Sequence, residues 1–288
     1  MSIVNTKQLI DAELEGRVRQ YVWRKTPSIA TNAGFAFDLS MSPGNPPAKY
    51  WFDAPPYVAT AITRSADGGL YHGANVSPSA KYLRSITAMT GTSTALPMHM
   101  ALCDYLLYYP TIDQSITEDQ TMTNNTVLPR YADGKGVQVL CVLLSDNAGN
   151  GPIFQMEYTN SEGVTGRLST IRIAASTGKM GQIGTHAINY GNMNATIFCT
   201  LQDNDSGVRS IQRVTMQTTD IGLFTLILVK PLMRTQIFET TAPYEKDMLL
   251  IGGDVPRIYD DAFLNFVCVP NGTLAATALS GDIKVIWD

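Results

Sequence analysis

HMALCDYLLYYP, residues 99–110, puts a histidine, a cysteine and an aspartate within six positions, and the reading of this stretch decides the fold around it. His99 and Cys103 are four apart, the spacing that places two side chains on one helical face. Pro97 lies just before the run and Pro110 closes it, both favourable places for proline at the ends of a helix, so the pattern predicts a helix over 97–109. Met98, Met100, Ala101, Leu102, Tyr105, Leu106, Leu107, Tyr108 and Tyr109 leave almost no polar face, and a helix apolar nearly all round is buried. His99 and Cys103 then read as core rather than as ligands or nucleophiles. Asp104 is the anomaly, because a carboxylate on so apolar a helix needs a hydrogen-bonding or cationic partner, or a place where the helix reaches solvent or a neighbouring subunit. Residues 85–129 contain no Lys or Arg, so a cation must come from elsewhere in the chain or from another chain.

Downstream, the punctuation becomes that of a β protein. Strand-like runs rich in β-branched and aromatic residues occupy 137–144, 153–160, 164–175, 195–202, 208–217, 222–232, 247–252, 262–270 and 282–288, separated by Gly, Asn and Asp. NSEG (160–163) and DNDSG (203–207) read as turns between neighbouring strands. So many short strands predict two packed antiparallel sheets, a jelly roll or related β-sandwich.

Upstream, Asn5 or Thr6 can cap a helix over roughly residues 6–24, with Leu9, Ile10, Leu14, Val18 and Val22 on one face. Asp11, Glu13 and Glu15 precede Arg17, Arg19, Arg24 and Lys25, which suits the helix dipole and offers Glu13–Arg17 and Glu15–Arg19 pairs. From Pro27 to Pro78 prolines and aromatics interleave, with Phe35, Phe37, Tyr50, Trp51, Phe52 and Tyr57 among them. Proline forbids regular helix and the aromatics argue against a solvated linker, so this segment reads as an extended arm anchored by its rings. His72 falls in a turn-rich loop over 65–78 and reads as a surface histidine without a partner nearby in sequence. The expected organisation is an N-terminal helix and docking arm over 1–94, followed over 95–288 by a β-sandwich body holding the helix near 97–109.

Composition narrows the function classes. Lys and Arg number 21 against 25 Asp and Glu, a net charge of −4, and no basic run supplies a phosphate-binding patch, so nucleic acid is not expected as a partner. No stretch approaches the ~20 apolar residues of a membrane-spanning helix, and the N-terminus lacks the pattern of a signal peptide, so neither membrane nor secretion is expected. Charged residues are 16% of the chain, fewer than usual, which suits a surface covered by neighbouring subunits. Cys103, Cys141, Cys199 and Cys268 lie far apart among apolar neighbours and read as buried free thiols. The sequons at Asn124, Asn194 and Asn271 then read as accidental.

No catalytic constellation emerges. Asp203, Asn204 and Asp205 offer oxygens, but an EF-hand loop would need an oxygen ligand at 207, Gly at 208 and Glu at 214, where this chain has Gly207, Val208 and Val214. Asp260 and Asp261 read as turn residues. His72, His99 and His186 stand in no recognisable arrangement with a nucleophile and an acid, and no phosphate-binding, hydrolase or zinc-protease motif occurs. No catalytic, cofactor-binding or metal-ligating residue is expected, and the chain is not expected to be an enzyme. Trp23, Trp51 and Trp287 lie outside obvious strand-connecting loops, which weakens a glycan-binding alternative.

Several long phrases, FDLSMSPGNPPAKYWFDAPPYVATAI (37–62), SADGGLYHGANVSPSAKYLR (65–84), LCDYLLYYPTID (102–113), NTVLPRYADGKGVQVL (125–140), DSGVRSIQ (205–212), LFTLILVKPL (223–232) and DDAFLNFVCVPNGT (260–273), resemble virion structural proteins of tailed bacteriophages. The resemblance implies a place in the virion, assembled in the host cytoplasm, with other virion proteins as partners: the major capsid protein, or neck and tail proteins. It also implies a homo-oligomer. An auxiliary protein decorating the capsid is the leading expectation, with a neck, collar or baseplate component, or a receptor-binding module, as alternatives.

Overall fold

The stretch that reads as a buried helix is a buried strand. In the computed structural model, which describes residues 3, 5–27, 30, 33–64, 68–187, 196–252, 254–274 and 277–288, Met98–Asp113 is extended throughout. The first elements are α1 (Thr6–Leu14), β1 (Val18–Lys25), β2 (Phe35–Asp38), β3 (Gly44–Asn45), β4 (Thr60–Ala61), β5 (Lys81–Thr90) and β6 (Met98–Asp113). Next come β7 (Gln120–Thr121), β8 (Gln138–Leu143), β9 (Ile153–Asn160), β10 (Arg167–Arg172), β11 (Gln182–Ala187) and β12 (Val208–Met216). The chain continues through β13 (Leu223–Ile237), β14 (Tyr244–Asp247), β15 (Arg257–Ile258), β16 (Phe263–Pro270) and β17 (Leu279–Trp287).

The fold is mainly β and every ladder between these strands is antiparallel, in a layered, sandwich-like arrangement. Its middle layer runs β13-β8-β11-β2-β16-β6, and β13 also pairs with β6, so these six strands close into a barrel. One outer sheet, β14-β5-β17-β1-β3, covers part of the barrel wall; a second, β10-β9-β12-β7, covers another part. The long strands β6 and β13 serve both layers. Met98, Met100 and Leu102 pack with Leu83, Ile86 and Val285 of the first sheet. Leu107 and Tyr109 pack with Phe154, Met156 and Val214 of the second. Ala101, Cys103, Tyr105 and Tyr108 share a third core with Leu140, Val142, Ile227, Val229 and Trp51.

This alternation explains why a helix is misread there. A strand with core on both faces loses the apolar–polar alternation that marks a half-exposed strand and becomes a continuous apolar run. β13 runs on to Ile237, beyond the expected strand at 222–232, with buried and more exposed residues alternating over its last five positions.

The first helix is shorter than expected. Asn5 caps it, its side chain accepting from Gln8 N at 3.0 Å, but it stops at Leu14 because Gly16 takes the left-handed conformation (φ 73°) that ends helices. Val18 and Val22 therefore lie on a strand, and Glu13 pairs with Arg84 and Lys284 instead of Arg17. The proline-rich arm packs in cis: Phe35, Phe37 and Trp51 are buried in the chain's own core, although Tyr50 and Phe52 are exposed. A boundary at residue 94 does not divide the fold, since β1 and β5 flank β17 in one sheet and β2 lies in the barrel. Two other expectations change. Among the described residues of 195–202 there is no strand, and 248–252 forms a π-helical turn after β14.

Candidate functional site

Three buried polar clusters and one surface groove gather the residues that carry chemistry. The first answers the question posed by Asp104. The first cation after the Lys- and Arg-free window, Arg130, reaches it with two parallel hydrogen bonds, Nε to Oδ2 at 2.8 Å and Nη2 to Oδ1 at 2.7 Å. Both side chains are 1% exposed. Arg130 also donates to the carbonyls of Ile62 and Tyr105 and to Asp261 Oδ2 at 3.0 Å, while Phe263 N donates to Asp104. Burial pushes the Asp104 carboxyl up to about 6, against the downward pull of Arg130. A guanidinium matched so completely to carboxylate and carbonyl acceptors ties β6, the 130 loop and the start of β16 together. The sequence marks Asp104 as needing a partner or a solvent or subunit contact, and the structure supplies a cation, Arg130.

The second cluster sits at the barrel wall around Asp38, the last residue of β2. Its carboxylate accepts from Ser40 N at 3.0 Å, Trp51 Nε1 at 2.6 Å and Tyr105 OH at 2.9 Å, and from the Ser40 hydroxyl. Trp51 stacks on Tyr105, centroids 5.6 Å apart and planes 7° from parallel. Nearby, the ammonium of fully buried Lys25 donates to the carbonyls of Ser40 (2.9 Å) and Pro47 (3.3 Å). Burial lowers its pKa to about 8, with Asp38 pulling the other way.

The third cluster corrects the reading of His72. It is 1% exposed, not a surface residue, and its Nε2 lies 2.9 Å from the carbonyl of Ala262, which makes that nitrogen the donor. Its other nitrogen faces Lys81 Nζ at 3.4 Å, and Lys81 in turn bonds Ala74 O and pairs with Asp260 Oδ1 at 3.1 Å. Burial, reinforced by Lys81, depresses the imidazole to about 4, so it is neutral at neutral pH with both nitrogens engaged. His72 and Asp260 are 188 positions apart, which is why no sequence signal joins them.

The remaining residues singled out by sequence stand apart from one another. Asp205 accepts from Tyr158, Asn160 and Arg167, a lock on the turn before β12, while Asp203 points to solvent 3.9 Å from Arg167. Asn124 accepts from Tyr109 OH and donates to Ile211 O. All four cysteines are free and buried, and burial raises their thiols far above the ordinary range. The His186 side chain and Asn194 lie outside the described residues. Among the described residues, no group of three or more His, Cys, Asp and Glu is placed to hold a metal, and no helix is long and apolar enough to cross a membrane.

The groove, about 740 Å³, opens where β6, β13, β14 and β16 end, and His99, Arg234, Lys246, Ile197, Tyr244 and Ile251 line it. His99 is exposed here rather than in the core, and its Nδ1 accepts from the Gln236 amide at 2.7 Å. Large apolar side chains stand beside it in solvent: Phe238 is 55% exposed, Leu250 80% and Ile251 60%.

No family model matches the chain, and no curated protein matches it. Among solved structures, the infectious bursal disease virus VP2 subviral particle aligns over 94% of this chain and 80% of its own, at 9% identity and a TM-score of 0.17. The structure of the virus's Gt strain aligns over 94% and 81%, at 10% identity and a TM-score of 0.13. At such scores the backbones do not superpose, and the likeness to a viral capsid protein carries no weight for fold or role.

Proposed function

We propose that this chain is a non-enzymatic structural protein of a virion, an auxiliary protein on the capsid exterior that stabilises the particle through subunit contacts. The observation that carries the reading is the surface around the groove. Ile251 lines it with Arg234 and Lys246, its chain neighbour Leu250 is exposed, and exposed Phe238 packs edge-on against groove-lining Tyr244, apolar groups with a charged rim of the kind that marks protein contact sites. The interior supports it. Asp38, Asp104 and His72, the groups best placed by burial to do chemistry, are each engaged by internal partners that hold strands together. The resemblance of the sequence phrases to tailed-phage virion proteins is what points to that class of particle.

The test is localisation and stoichiometry in purified particles. Copies spread over the shell support decoration, and a small fixed number at one vertex makes it a neck, collar or baseplate component. A protein that never sediments with particles refutes the virion reading. An Ile251→Asp variant that keeps its melting temperature is expected to lose incorporation. A glycan-binding reading has one observation in its favour, a cleft of about 400 Å³ lined by Tyr21, Trp287 and Arg19. Selective signals on a glycan array, lost on Trp287→Ala, would establish it.

A further inference from the structure

We infer that two copies of this chain pair through β1, strand against strand, about a two-fold axis centred on Gln20. Other outer edges in the two flanking sheets are occupied or short. β10 is met by Gln202 and Thr200, β12 by β7 and by Met122 N donating to Gln212 O, and β14 is four residues long. On β1, by contrast, β3 pairs only with Arg24 and Lys25, so Val18–Trp23 has no strand on its outer side among the described residues.

The register of β1 fixes which backbone groups that edge presents. Trp287 N donates to Arg17 O, and the pairing with β17 runs unbroken from Val18–Ile286 to Lys25–Leu279, so odd residues bond inward to β17. Thr26 N donates to Pro43 O on the opposite side, so even residues point outward. The open edge is therefore the N–H and C=O of Val18, Gln20 and Val22, with the Arg19 guanidinium already donating to Val18 O. An antiparallel copy centred on Gln20 sets Val18 opposite Val22 and Gln20 opposite itself. All three outward N–H groups of each copy then find a carbonyl, Val18 O accepting a second bond. Registers centred on Val18 or Val22 leave some of them unmatched.

Side chains agree with that register. The outward face places two β-branched Val18–Val22 pairs side by side, a favourable cross-strand contact, and Val22 is 73% exposed in the single chain. α1 shares this face, since Leu9 and Ala12 pack with Val18, and its last residue, Leu14, is 81% exposed. Gly16, with its positive φ, turns each chain out of the sheet before it meets the β3 of the other copy. Such an interface is isologous and closes at two copies, and it joins two six-stranded sheets into one, β17-β1 of one copy continuing into β1-β17 of the other.

The inference does not depend on the virion reading, because it concerns the isolated protein. Sedimentation equilibrium is expected to give a dimer. A proline at an outward N–H of an edge strand is compatible with the single chain, so Gln20→Pro is expected to remain folded by circular dichroism and become monomeric. Mild oxidation of Gln20→Cys is expected to give a disulfide-linked dimer, because directly opposed Cα atoms lie about 5.5 Å apart. Val22→Cys is expected not to cross-link, since its partner is Val18. A monomeric parent, a Gln20→Pro protein that is folded and still dimeric, or equal cross-linking of both cysteine variants overturns the pairing. If Gln20→Pro does not fold, the two cysteine variants decide. A monomeric parent whose Gln20→Pro variant loses particle binding assigns the edge to a different protein and likewise overturns self-pairing.

Discussion

Replacing Arg130 by methionine removes the cation from the most deeply buried ion pair described here and leaves Asp104 with Phe263 N as its remaining donor. It also strips the carbonyls of Ile62 and Tyr105 of a hydrogen bond. Breaking one side of a buried pair costs about 3–5 kcal/mol, and two orphaned carbonyls place this site in the middle of that range or above. The cost depends on pH. In the parent the Asp104 pKa is about 6 in the folded state and near 3.8 in the unfolded chain, so the group favours folding most below 3.8 and loses that advantage as pH rises to 6. Without Arg130 the same burial acts unopposed by that cation and is expected to push the carboxyl further up. The ion pair at pH 7 is therefore worth about 1 kcal/mol more than at pH 6 or below, one unit of titration. Urea unfolding at pH 7 and pH 5 is the assay. Arg130→Met is expected to lose about 4 kcal/mol at pH 7 and about 1 kcal/mol less at pH 5. Replacing the pair together, Asp104→Leu with Arg130→Met, is expected to recover most of the loss, because an apolar pair avoids stranding a charge. A single variant as stable as the parent, or one whose deficit is equal at both pH values, would refute the reasoning.

Lys25, whose folded pKa of about 8 lies below the 10.5 of a free lysine, binds its proton less well when folded, so its contribution rises as pH climbs from 8 to 10.5. Parent stability relative to Lys25→Met should accordingly increase by about 3 kcal/mol over that interval in pH-dependent denaturant melts. The His72 ring resonance is expected to titrate near 4 in NMR spectra, and a midpoint above 6 would place the ring in solvent. Trp51→Phe keeps the stacking on Tyr105 but removes one donor from Asp38, at a cost of about 1–3 kcal/mol in thermal unfolding. All four thiols should resist a disulfide-exchange reagent in the native protein and react in denaturant; rapid native reaction at any of them would contradict their burial.

Where one face of a strand meets core and the other faces outward, the sequence is legible. β9 alternates between partly exposed and buried residues from Ile153 to Asn160, and it begins and ends where the pattern predicts. β6 is illegible for the opposite reason, since both its faces are core and its period vanishes. The end of α1 hinges on one glycine inside a run whose apolar spacing continues across it, as Val18 and Val22 satisfy helix and strand patterns alike. For the candidate site, an unpaired carboxylate at 104 was deducible from local chemistry, and its partner stood one position beyond the cation-free window. The His72–Lys81–Asp260 cluster was not deducible, because its members meet only after β5 and the segment before β16 are brought side by side.

One feature of the first outer sheet bears on how the protein is made. β17, the last strand, lies between β1 and β5, which are among the first. On the ribosome, β1 and β5 wait without their shared neighbour until residues 279–287 emerge, and Asp288 then accepts from Ala80 N. Completion of this sheet thus waits for residues 279–287, and nascent chains halted before residue 279 are expected to remain protease-sensitive at β1.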